Sequence, residues 1–452
     1  MSEGRERVLK VFRDNRDFID ERVKYGIELY RKGYNTLKFV DKNGKSINNV
    51  DVKIKLKKHD YKFGCNIFML DEFENEDKNV EYRRIFGDTF NYATAAFYWL
   101  DLEPEKGKPR YAKDSPKRYR RPAPDLVVEY CRERGIDMRA HCIVYDAFAP
   151  SWLPREVPAI KKEYDKHMAE LAARYGEVID DWEIMNESLN WEMYGYSRLQ
   201  TTPFFREQDY ESWSYFAARR HFPNGRLIIN AGPCESWSER LHRSPYYYQL
   251  ESLAAKGVHF DSIGMQAHLF TSREHEEAYL NKYCNPMKMT DVLDVYSRFG
   301  APINISELTI PSYNGGVEDE AVQEEELRTL YSLWFSHQAT EGVIYWNLVD
   351  GYSYVPGGGK STLGDPNAGE NIYGGGLLRF DLSPKPAFKT LQNLIKKEWH
   401  TDLTTQTGFD DRVKIKGFYG MYEIVYTYGG KEYKTEFHLD KRSDLEHIFV
   451  CD

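Results

Sequence analysis

The sequence predicts an α/β fold in which eight strand-and-helix repeats close into a barrel, with further strands at both ends of the chain. Between about residues 60 and 398, short apolar runs alternate with longer helical patterns, as in repeated βα units. The apolar runs number eight, the strand count of a closed α/β barrel. Outside this region, apolar and charged residues alternate, which is typical of half-exposed strands.

The segment 1–59 is predicted to form a helix followed by a β-hairpin. Residues 1 to about 35 are highly charged and fit an amphipathic helix. Strands are predicted at Thr36–Val40 and Val50–Leu56, and the Asn-Gly pair at residues 43 and 44 supplies the positive φ of a tight turn.

The segment 399–452 is predicted to be a C-terminal β segment. Residues 412–437 alternate and contain a Gly-Gly turn at 429 and 430, which indicates a second hairpin. The two ends are expected to form a small accessory β module, or edges packed against the main domain, with a structural role. Sugar binding by that module is the alternative.

The segment 60–398 is predicted to hold the barrel. The predicted helices include Pro124–Arg134, Tyr164–Tyr175, Gln208–His221 and Val322–Gln338. The predicted strands are Phe63–Phe68, Phe90–Ala95, Asp137–Ile143, Val178–Asn186, Leu227–Asn230, Ser262–Gln266, Ile303–Glu307 and Val343–Asn347. Glycine-rich Gly357–Lys360 and Gly374–Gly376 lack the spacing of a phosphate loop and are predicted to be loops over the cleft.

The fourth and seventh predicted strands each deliver a glutamate at their carboxyl end, Glu187 and Glu307. A continuous apolar run is typical of a strand buried on both faces, and the carboxyl ends of barrel strands carry catalytic groups. Two carboxylates at one site are the groups that hydrolysis of a glycosidic bond needs, since one donates a proton and the other attacks or activates water.

Other strand ends add polar or aromatic side chains: His141 on the third strand, Gln266 and His268 on the sixth, and Trp346 on the eighth. One such histidine alone is more often a hydrogen-bonded structural residue. Five strand ends that offer such side chains together favour a sugar-binding site.

Composition excludes several other classes of protein. The formal net charge of −9 over 452 residues argues against nucleic acid and anionic membranes as partners. The aromatic content of 15% fits either sugar stacking or core packing.

The six cysteines show no metal-binding or disulfide spacing, and Cys65 and Cys142 lie in apolar runs that predict buried thiols. Neither a metal nor a cofactor is expected.

The first twenty residues lack the apolar core of a signal peptide, and no run is long enough to span a bilayer. Two locations fit this pattern: a cytoplasmic one, and a secreted or periplasmic one after removal of a signal peptide.

Residues 60 to about 398 resemble glycoside hydrolase family 10, which is typified by endo-β-1,4-xylanases. The similar strings are RAH at 139–141, PSWL at 150–153, WEIMNE at 182–187, GMQAH at 264–268, ISEL at 305–308, YWNLVD at 345–350, LRFD at 378–381 and PKPA at 384–387. They follow the family's order over about three quarters of the chain.

The resemblance implies a (β/α)8 TIM barrel and a retaining mechanism, with Glu187 as acid/base and Glu307 as nucleophile. The acid is expected to be kept protonated by burial and a negative neighbour, and the nucleophile to be kept ionised by hydrogen bonds. The other implied roles are Asn186 on the sugar's 2-hydroxyl, Gln266 and His268 beside the nucleophile, His141 in the same subsite, and Trp346 as its aromatic wall.

Two stretches depart from the family. The Thr-Pro-Glu-Asn and Lys-Trp stretches that bind sugars at subsites −1 and −2 are replaced by TAAFYW at 94–99, and a Trp-His pair by Tyr-Asp at 145–146. Tyr98 and Trp99 in the new aromatic patch are predicted to bind substrate. The basic loop Asp101–Arg121 has three interpretations: it restores the lost contacts, meets a uronic acid, or is merely solvated.

The expected function is therefore that of a retaining endo-β-1,4-xylanase acting on xylan or decorated xylan, with a polysaccharide or oligosaccharide as its partner. One alternative is a retaining glycosidase for another β-linked or substituted glycan. The other is a non-catalytic carbohydrate-binding barrel, against which the two glutamates argue.

Overall fold

The computed structural model describes residues 1–189, 202–356, 362–409, 411–442 and 444–451. Its strands are β1 (Lys32–Asp41), β2 (Asp51–His59), β3 (Lys62–Asn66), β4 (Tyr92–Ala96), β5 (Asp137–His141), β6 (Asp181–Asn186), β7 (Arg226–Ala231), β8 (Ser262–His268), β9 (Ile303–Thr309), β10 (Thr340–Tyr345), β11 (Asp402–Gln406), β12 (Arg412–Phe418), β13 (Gly420–Tyr428), β14 (Lys431–Leu439) and β15 (Glu446–Cys451).

Strands β3 to β10 form a closed parallel barrel in the order β10-β3-β4-β5-β6-β7-β8-β9. These are the eight strands that the apolar runs predict. Every residue of β6, β8 and β9 is buried, because the barrel interior covers one face of each strand and the surrounding helices cover the other. The predicted (β/α)8 barrel is confirmed.

The predicted barrel helices are present, but the helices predicted to begin at Tyr164 and Val322 begin earlier, at Val157 and Val317. The helix Pro124–Arg134 has the predicted bounds, since a proline occupies its first position and Gly135 follows it with a φ of +65°. The α-helices are Glu3–Val8, Lys10–Asp14, Arg16–Tyr30, Glu76–Thr89, Trp99–Leu102, Pro124–Arg134, Val157–Tyr175, Tyr210–His221, Cys234–Ser238, Pro245–Ala255, Glu276–Tyr283, Pro286–Tyr296, Val317–Ser336 and Pro386–Asn393. None of these described helices is both long and apolar enough to cross a bilayer.

Strands from both ends of the chain build two further sheets, with the orders β12-β1-β15 and β11-β2-β13-β14. The antiparallel pair β13–β14 is the predicted C-terminal hairpin. Its turn holds Gly429 and Gly430 at φ values of +58° and +77°, as a two-residue turn with two left-handed positions requires. The accessory β-strands predicted at the two ends of the chain are therefore confirmed, and each of the two sheets contains strands from both ends.

The predicted N-terminal hairpin is wrong, because β1 and β2 lie in different sheets. The turn after β1 is present, with Gly44 at a φ of +78°, but the chain folds back only as far as a bridge between Val40 and Ser46. The single helix predicted for residues 1–35 is likewise three shorter helices that end at Tyr30. Alternation predicts that a segment is a strand, but it does not select the distant strand that pairs with it.

All six cysteines are buried, as predicted for Cys65 and Cys142. The Gly374–Gly376 segment lies against the carboxyl end of β9, where a Cβ at Gly375 would meet Thr309 Cγ2 at 2.5 Å. The predicted Gly357–Lys360 loop lies outside the described residues.

Candidate active site

The carboxyl ends of six barrel strands, β5 to β10, bring most of the predicted site residues into one polar cluster. Its members share nearly complete burial, with 8% exposure or less, apart from Glu187, which is half-buried. The members are Arg139, His141, Glu183, Asn186, Glu187, Asn230, Gln266, His268, Ser306, Glu307, Thr309 and Trp346.

Asn230, at the carboxyl end of β7, lies at the centre of this cluster. Its Nδ2 faces Glu307 Oε1 at 2.9 Å, Asn186 Oδ1 at 3.0 Å and Glu183 Oε1 at 3.1 Å. Its Oδ1 accepts a hydrogen bond from Ser306 Oγ at 2.5 Å. Sequence reasoning missed this residue, although it ends a correctly predicted strand and the strand-end criterion that found the other residues applies to it equally.

Glu187 follows directly after β6 and is anchored at both its backbone and its side chain. Its φ is +52°, and its N–H donates to the carbonyl oxygen of Asn230 at 3.1 Å. Its Oε2 accepts a hydrogen bond from the hydroxyl of Tyr145 at 2.6 Å. Tyr145 is a second residue that was not predicted as part of the site, yet its position was already marked by the departure from the family at 145–146.

Glu307 faces His268, whose ring lies between it and Thr309. Glu307 Oε2 is 3.2 Å from His268 Nε2, and His268 Nδ1 is 2.9 Å from Thr309 Oγ1. Burial lowers the pKa of His268, so the ring is neutral at ordinary pH. With its proton on Nδ1 and directed at Thr309, the ring presents Nε2 to Glu307 as an acceptor.

Burial raises the pKa of Glu307 to about 8; His141 lowers it, whereas the carboxylates of Glu183 and Glu187 raise it further. This direction is opposite to the expectation that hydrogen bonds keep Glu307 ionised. One expected donor is missing, because Gln266 Nε2 donates to Asn186 Oδ1 at 3.0 Å. Gln266 therefore positions Asn186 and does not stabilise the charge of Glu307.

Glu183, which lies within β6, is the member of the cluster that stays negatively charged. Burial alone would raise its pKa, but His141 and Arg139 outweigh burial and hold the pKa below its usual value. His141 Nδ1 lies 2.8 Å from Glu183 Oε1, and His141 Nε2 lies 2.8 Å from the hydroxyl of Tyr98.

Ligand atoms of His141, Cys142 and Glu183 lie within 4.8 Å of one another, a spacing that a metal ion would accept. Burial raises the pKa of the Cys142 thiol well above its usual value, so the thiol is protonated and is a poor ligand. Arg139 Nε also lies 3.3 Å from Glu183 Oε2. This donor set therefore fits an ion-pair network better than a metal centre.

Aromatic side chains form one wall beside the cluster. The Trp346 ring lies 5.3 Å from the rings of both Phe68 and His141. Tyr98 stacks on Phe148 at 4.2 Å. The predicted residues Tyr98 and Trp346 therefore lie together at the site.

Trp99 does not join them. It stacks on His167 at 4.3 Å, and its Nε1 donates to Glu103 Oε2 at 3.0 Å, so it is part of the main hydrophobic core. The prediction that Trp99 binds substrate does not agree with this placement. Trp99 begins the helix Trp99–Leu102, and its ring belongs to the main core cluster, whereas Tyr98 packs in a separate cluster with Phe68 and Trp346.

Two arginines of the basic loop are engaged within the protein, which excludes the merely solvated interpretation for them. Arg120 is buried, and its Nη2 donates to Asn347 Oδ1 at 2.8 Å. Arg121 lies over the Tyr98 ring at 4.4 Å, while its Nε donates to Asp101 Oδ2 at 2.7 Å. Both guanidinium groups thus support the aromatic wall.

A cleft of about 720 Å³ opens beside Glu187. Its walls come from the ends of β5 and β6, from residues 205–211 and from the helix Pro245–Ala255. Glu187 and Asn186 line it, whereas Glu307 does not.

Comparison with known families agrees with this arrangement. The sequence model described as glycosyl hydrolase family 10 matches residues 54–393, which is most of the chain. The chain belongs to glycosyl hydrolase family 10. This match spans the whole barrel and every member of the polar cluster.

Among other members and relatives, the anti-sigma-I factor RsgI6 of Acetivibrio thermocellus is 25% identical over 422 residues, which cover 91% of this chain and 47% of that protein. An endo-1,4-beta-xylanase/feruloyl esterase of Xylanibacter ruminicola is 24% identical and covers 59% of this chain and 39% of its own length. This family 10 chain thus spans less than half the length of either relative.

Solved structures of the family share the fold. The native xylanase 10B from Thermotoga maritima superimposes with a TM-score of 0.57 at 19% identity, over 75% of this chain and 96% of that one. Xylanase 10B from Thermotoga petrophila, solved with xylobiose, gives a TM-score of 0.57 at 17% identity.

Proposed function

We propose that this chain is a retaining β-glycoside hydrolase that cleaves the β-1,4 backbone of xylan. The observation that carries the proposal is that the two glutamates, Glu187 and Glu307, are both anchored to Asn230. The Asn230 side chain binds the carboxyl of Glu307, and its backbone carbonyl accepts the N–H of Glu187. Relatives named as endo-1,4-beta-xylanases support xylan as the substrate.

In this proposal Glu187 donates its proton to the glycosidic oxygen while Glu307 attacks the anomeric carbon. The leaving sugar departs with the proton, and the remaining sugar is bound covalently to Glu307. Glu187, now ionised, takes a proton from water, whose oxygen attacks the anomeric carbon and releases Glu307. The hydroxyl of Tyr145 holds the Glu187 carboxyl in position for both transfers.

The remaining groups position the sugar. Asn186, held by both Asn230 and Gln266, is proposed to bind the hydroxyl next to the reacting carbon. Trp346 and His141 are proposed to form the wall of the same subsite. Glu307 must be ionised to attack the anomeric carbon. Because its pKa is raised to about 8, the ionised form predominates only above that pH.

The test is to assay Glu187→Gln and Glu307→Gln on xylan and on xylo-oligosaccharides. Each change is expected to lower turnover by at least ~10²-fold. Circular dichroism is expected to show that both variants keep the fold. Glu251→Gln is the matched control, because Glu251 is an exposed acid outside the cleft and is expected to keep full turnover. Wild-type turnover by either site variant would contradict the proposal.

A panel of mixed-linkage glucan, mannan, galactan and glucuronoarabinoxylan separates xylan from other β-glycans. Products from one of these polymers alone would show that the aromatic wall around Tyr98 has redirected specificity on the same catalytic groups.

A second candidate function is glycan binding without hydrolysis. It is favoured by the relative named as an anti-sigma-I factor, which matches 91% of this chain, and by a Glu307 that is protonated at neutral pH. Glycan binding by calorimetry, together with no products at any pH between 5 and 9, would support this candidate.

A further inference from the structure

The Glu307 carboxyl is almost completely enclosed by other groups of the protein. Its residue is only 3% exposed, and His141 in the same cluster is 1% exposed. Neither is among the described residues that line the cleft beside Glu187. On the proposed function, however, Glu307 must contact the anomeric carbon of a sugar ring. A group of the protein must therefore move before a sugar can reach this carboxyl.

The Tyr98 hydroxyl takes up the ring nitrogen that His141 would offer to a sugar. Tyr98 Oη lies 2.8 Å from His141 Nε2, and His141 Nδ1 lies 2.8 Å from Glu183 Oε1. With the Nδ1 proton directed at Glu183, Nε2 of the neutral ring accepts the Tyr98 O–H. Both ring nitrogens are then engaged, so a sugar hydroxyl can reach His141 only in place of the Tyr98 hydroxyl.

The rest of the Tyr98 side chain also lies where the reacting sugar is proposed to bind. Burial raises the pKa of Tyr98 well above its ordinary value, and the charge of Glu307 raises it further, so the hydroxyl lies near that carboxyl. The Tyr98 ring packs in one small cluster with Phe68 and Trp346. Tyr98 therefore fills space in front of the aromatic wall that is proposed for the sugar.

The Tyr98 backbone is fixed, so only its side chain is free to move aside. Tyr98 precedes the helix Trp99–Leu102, and its carbonyl oxygen accepts two N–H groups of that helix, both at 2.9 Å. The ring stacks on Phe148 at 4.2 Å and lies 4.4 Å from the Arg121 guanidinium. Moving the ring aside therefore breaks one hydrogen bond and these two ring contacts.

We propose that Tyr98 closes the sugar subsite beside Glu307 and that a glycan displaces its ring on binding. The inference rests on the proposed function. A sugar hydroxyl then replaces the Tyr98 hydroxyl on His141, and the sugar ring takes the place of the phenol ring beside Trp346. The displacement lowers the affinity for glycans, because only the opened arrangement binds them. It alters no reacting group, so it leaves the chemical step unchanged.

The first test is Tyr98→Phe, which keeps the ring but takes away the described partner of His141 Nε2. The closed arrangement then lacks a hydrogen bond that a sugar hydroxyl can supply. KM for xylotetraose is expected to fall about 2- to 10-fold, the change that one net hydrogen bond produces, with kcat unchanged. A Tyr98 that binds the substrate directly gives the opposite sign, so a higher KM or an unchanged one would overturn the inference.

Two further variants separate this role from a general effect on the fold. Phe148→Leu removes the stacked ring and leaves the Tyr98 hydroxyl in place, and it is expected to lower KM in the same direction. Tyr215→Phe is the matched control, because its hydroxyl is also buried and donates to the carbonyl oxygen of Ile228 at 3.1 Å. This control is expected to keep the wild-type KM.

Failure of the proposed function is distinguishable from failure of this inference. Calorimetric titration with xylotetraose and cellotetraose, on the full chain carrying Glu187→Gln, measures affinity without hydrolysis. Tighter binding after the addition of Tyr98→Phe supports the closed subsite even if the wild type hydrolyses no substrate. Equal or weaker binding, or no binding of either sugar by either protein, refutes it.

Discussion

Replacing Glu307 by glutamine is expected to change how the stability of the protein depends on pH. The Glu307 carboxyl is fully buried, and its pKa rises from an ordinary 4.5 to about 8. This difference corresponds to about 5 kcal/mol between the two protonation states, at ~1.36 kcal/mol per pKa unit. Glutamine keeps the shape of the protonated carboxyl and donates to His268 Nε2 from its amide.

The sign follows from proton linkage. Below pH 4.5 the carboxyl is protonated in both the folded and unfolded chain, so it adds no pH dependence. Between pH 4.5 and about 8 the unfolded chain ionises while the folded protein keeps its proton. The wild type therefore loses up to ~1.4 kcal/mol of stability per pH unit from this group, and Glu307→Gln does not.

Urea unfolding of both proteins between pH 4.5 and 8.5 measures this effect. The free energy of unfolding of the variant is expected to rise relative to the wild type by several kcal/mol across the series. Glu251→Gln is the control and is expected to follow the wild-type curve. If the curves of Glu307→Gln and the wild type run parallel, the protonated, buried state of Glu307 is refuted.

Three further predictions concern the proposed reaction. Asn230→Ala removes a donor that faces three acceptors, so kcat/KM is expected to fall about 10- to 100-fold; an unchanged value would remove Asn230 from the site. Tyr145→Phe removes only the hydroxyl that binds Glu187, and kcat is expected to fall about tenfold while KM stays the same; a change confined to KM would contradict a positioning role. In the wild type, kcat/KM is expected to rise with pH towards about 8 as Glu307 ionises; a plateau already reached at pH 6 would contradict the raised pKa.

The barrel was predictable because its strands are buried on both faces and therefore stand out as apolar runs. The same pattern identified Glu187 and Glu307, since each glutamate interrupts such a run at its carboxyl end. The pairing of the terminal strands was not predictable in this way, because β1 finds its partners in β12 and β15, hundreds of residues away.

The electrostatics of the site were also beyond local sequence reasoning. The pKa of Glu307 depends on burial and on charges at two other strands, β5 and β6, which only the closed barrel brings together. Gln266 was expected to bind Glu307, but it donates a hydrogen bond to Asn186. Asn186 and Glu307 both lie at the carboxyl ends of barrel strands, and the sequence does not show which of the two Gln266 binds. Trp99 was grouped with Tyr98 by adjacency, yet its ring stacks on His167 in the main core.

The central claim is that Glu187 and Glu307 act together in double displacement, and the configuration of the first product tests it most directly. Proton NMR of wild-type digestion of a xylo-oligosaccharide, recorded before mutarotation, is expected to show the β-anomer at the new reducing end, with no product from Glu307→Gln. The α-anomer as the first product would show a single displacement by water and would contradict the assignment of Glu307 as the nucleophile.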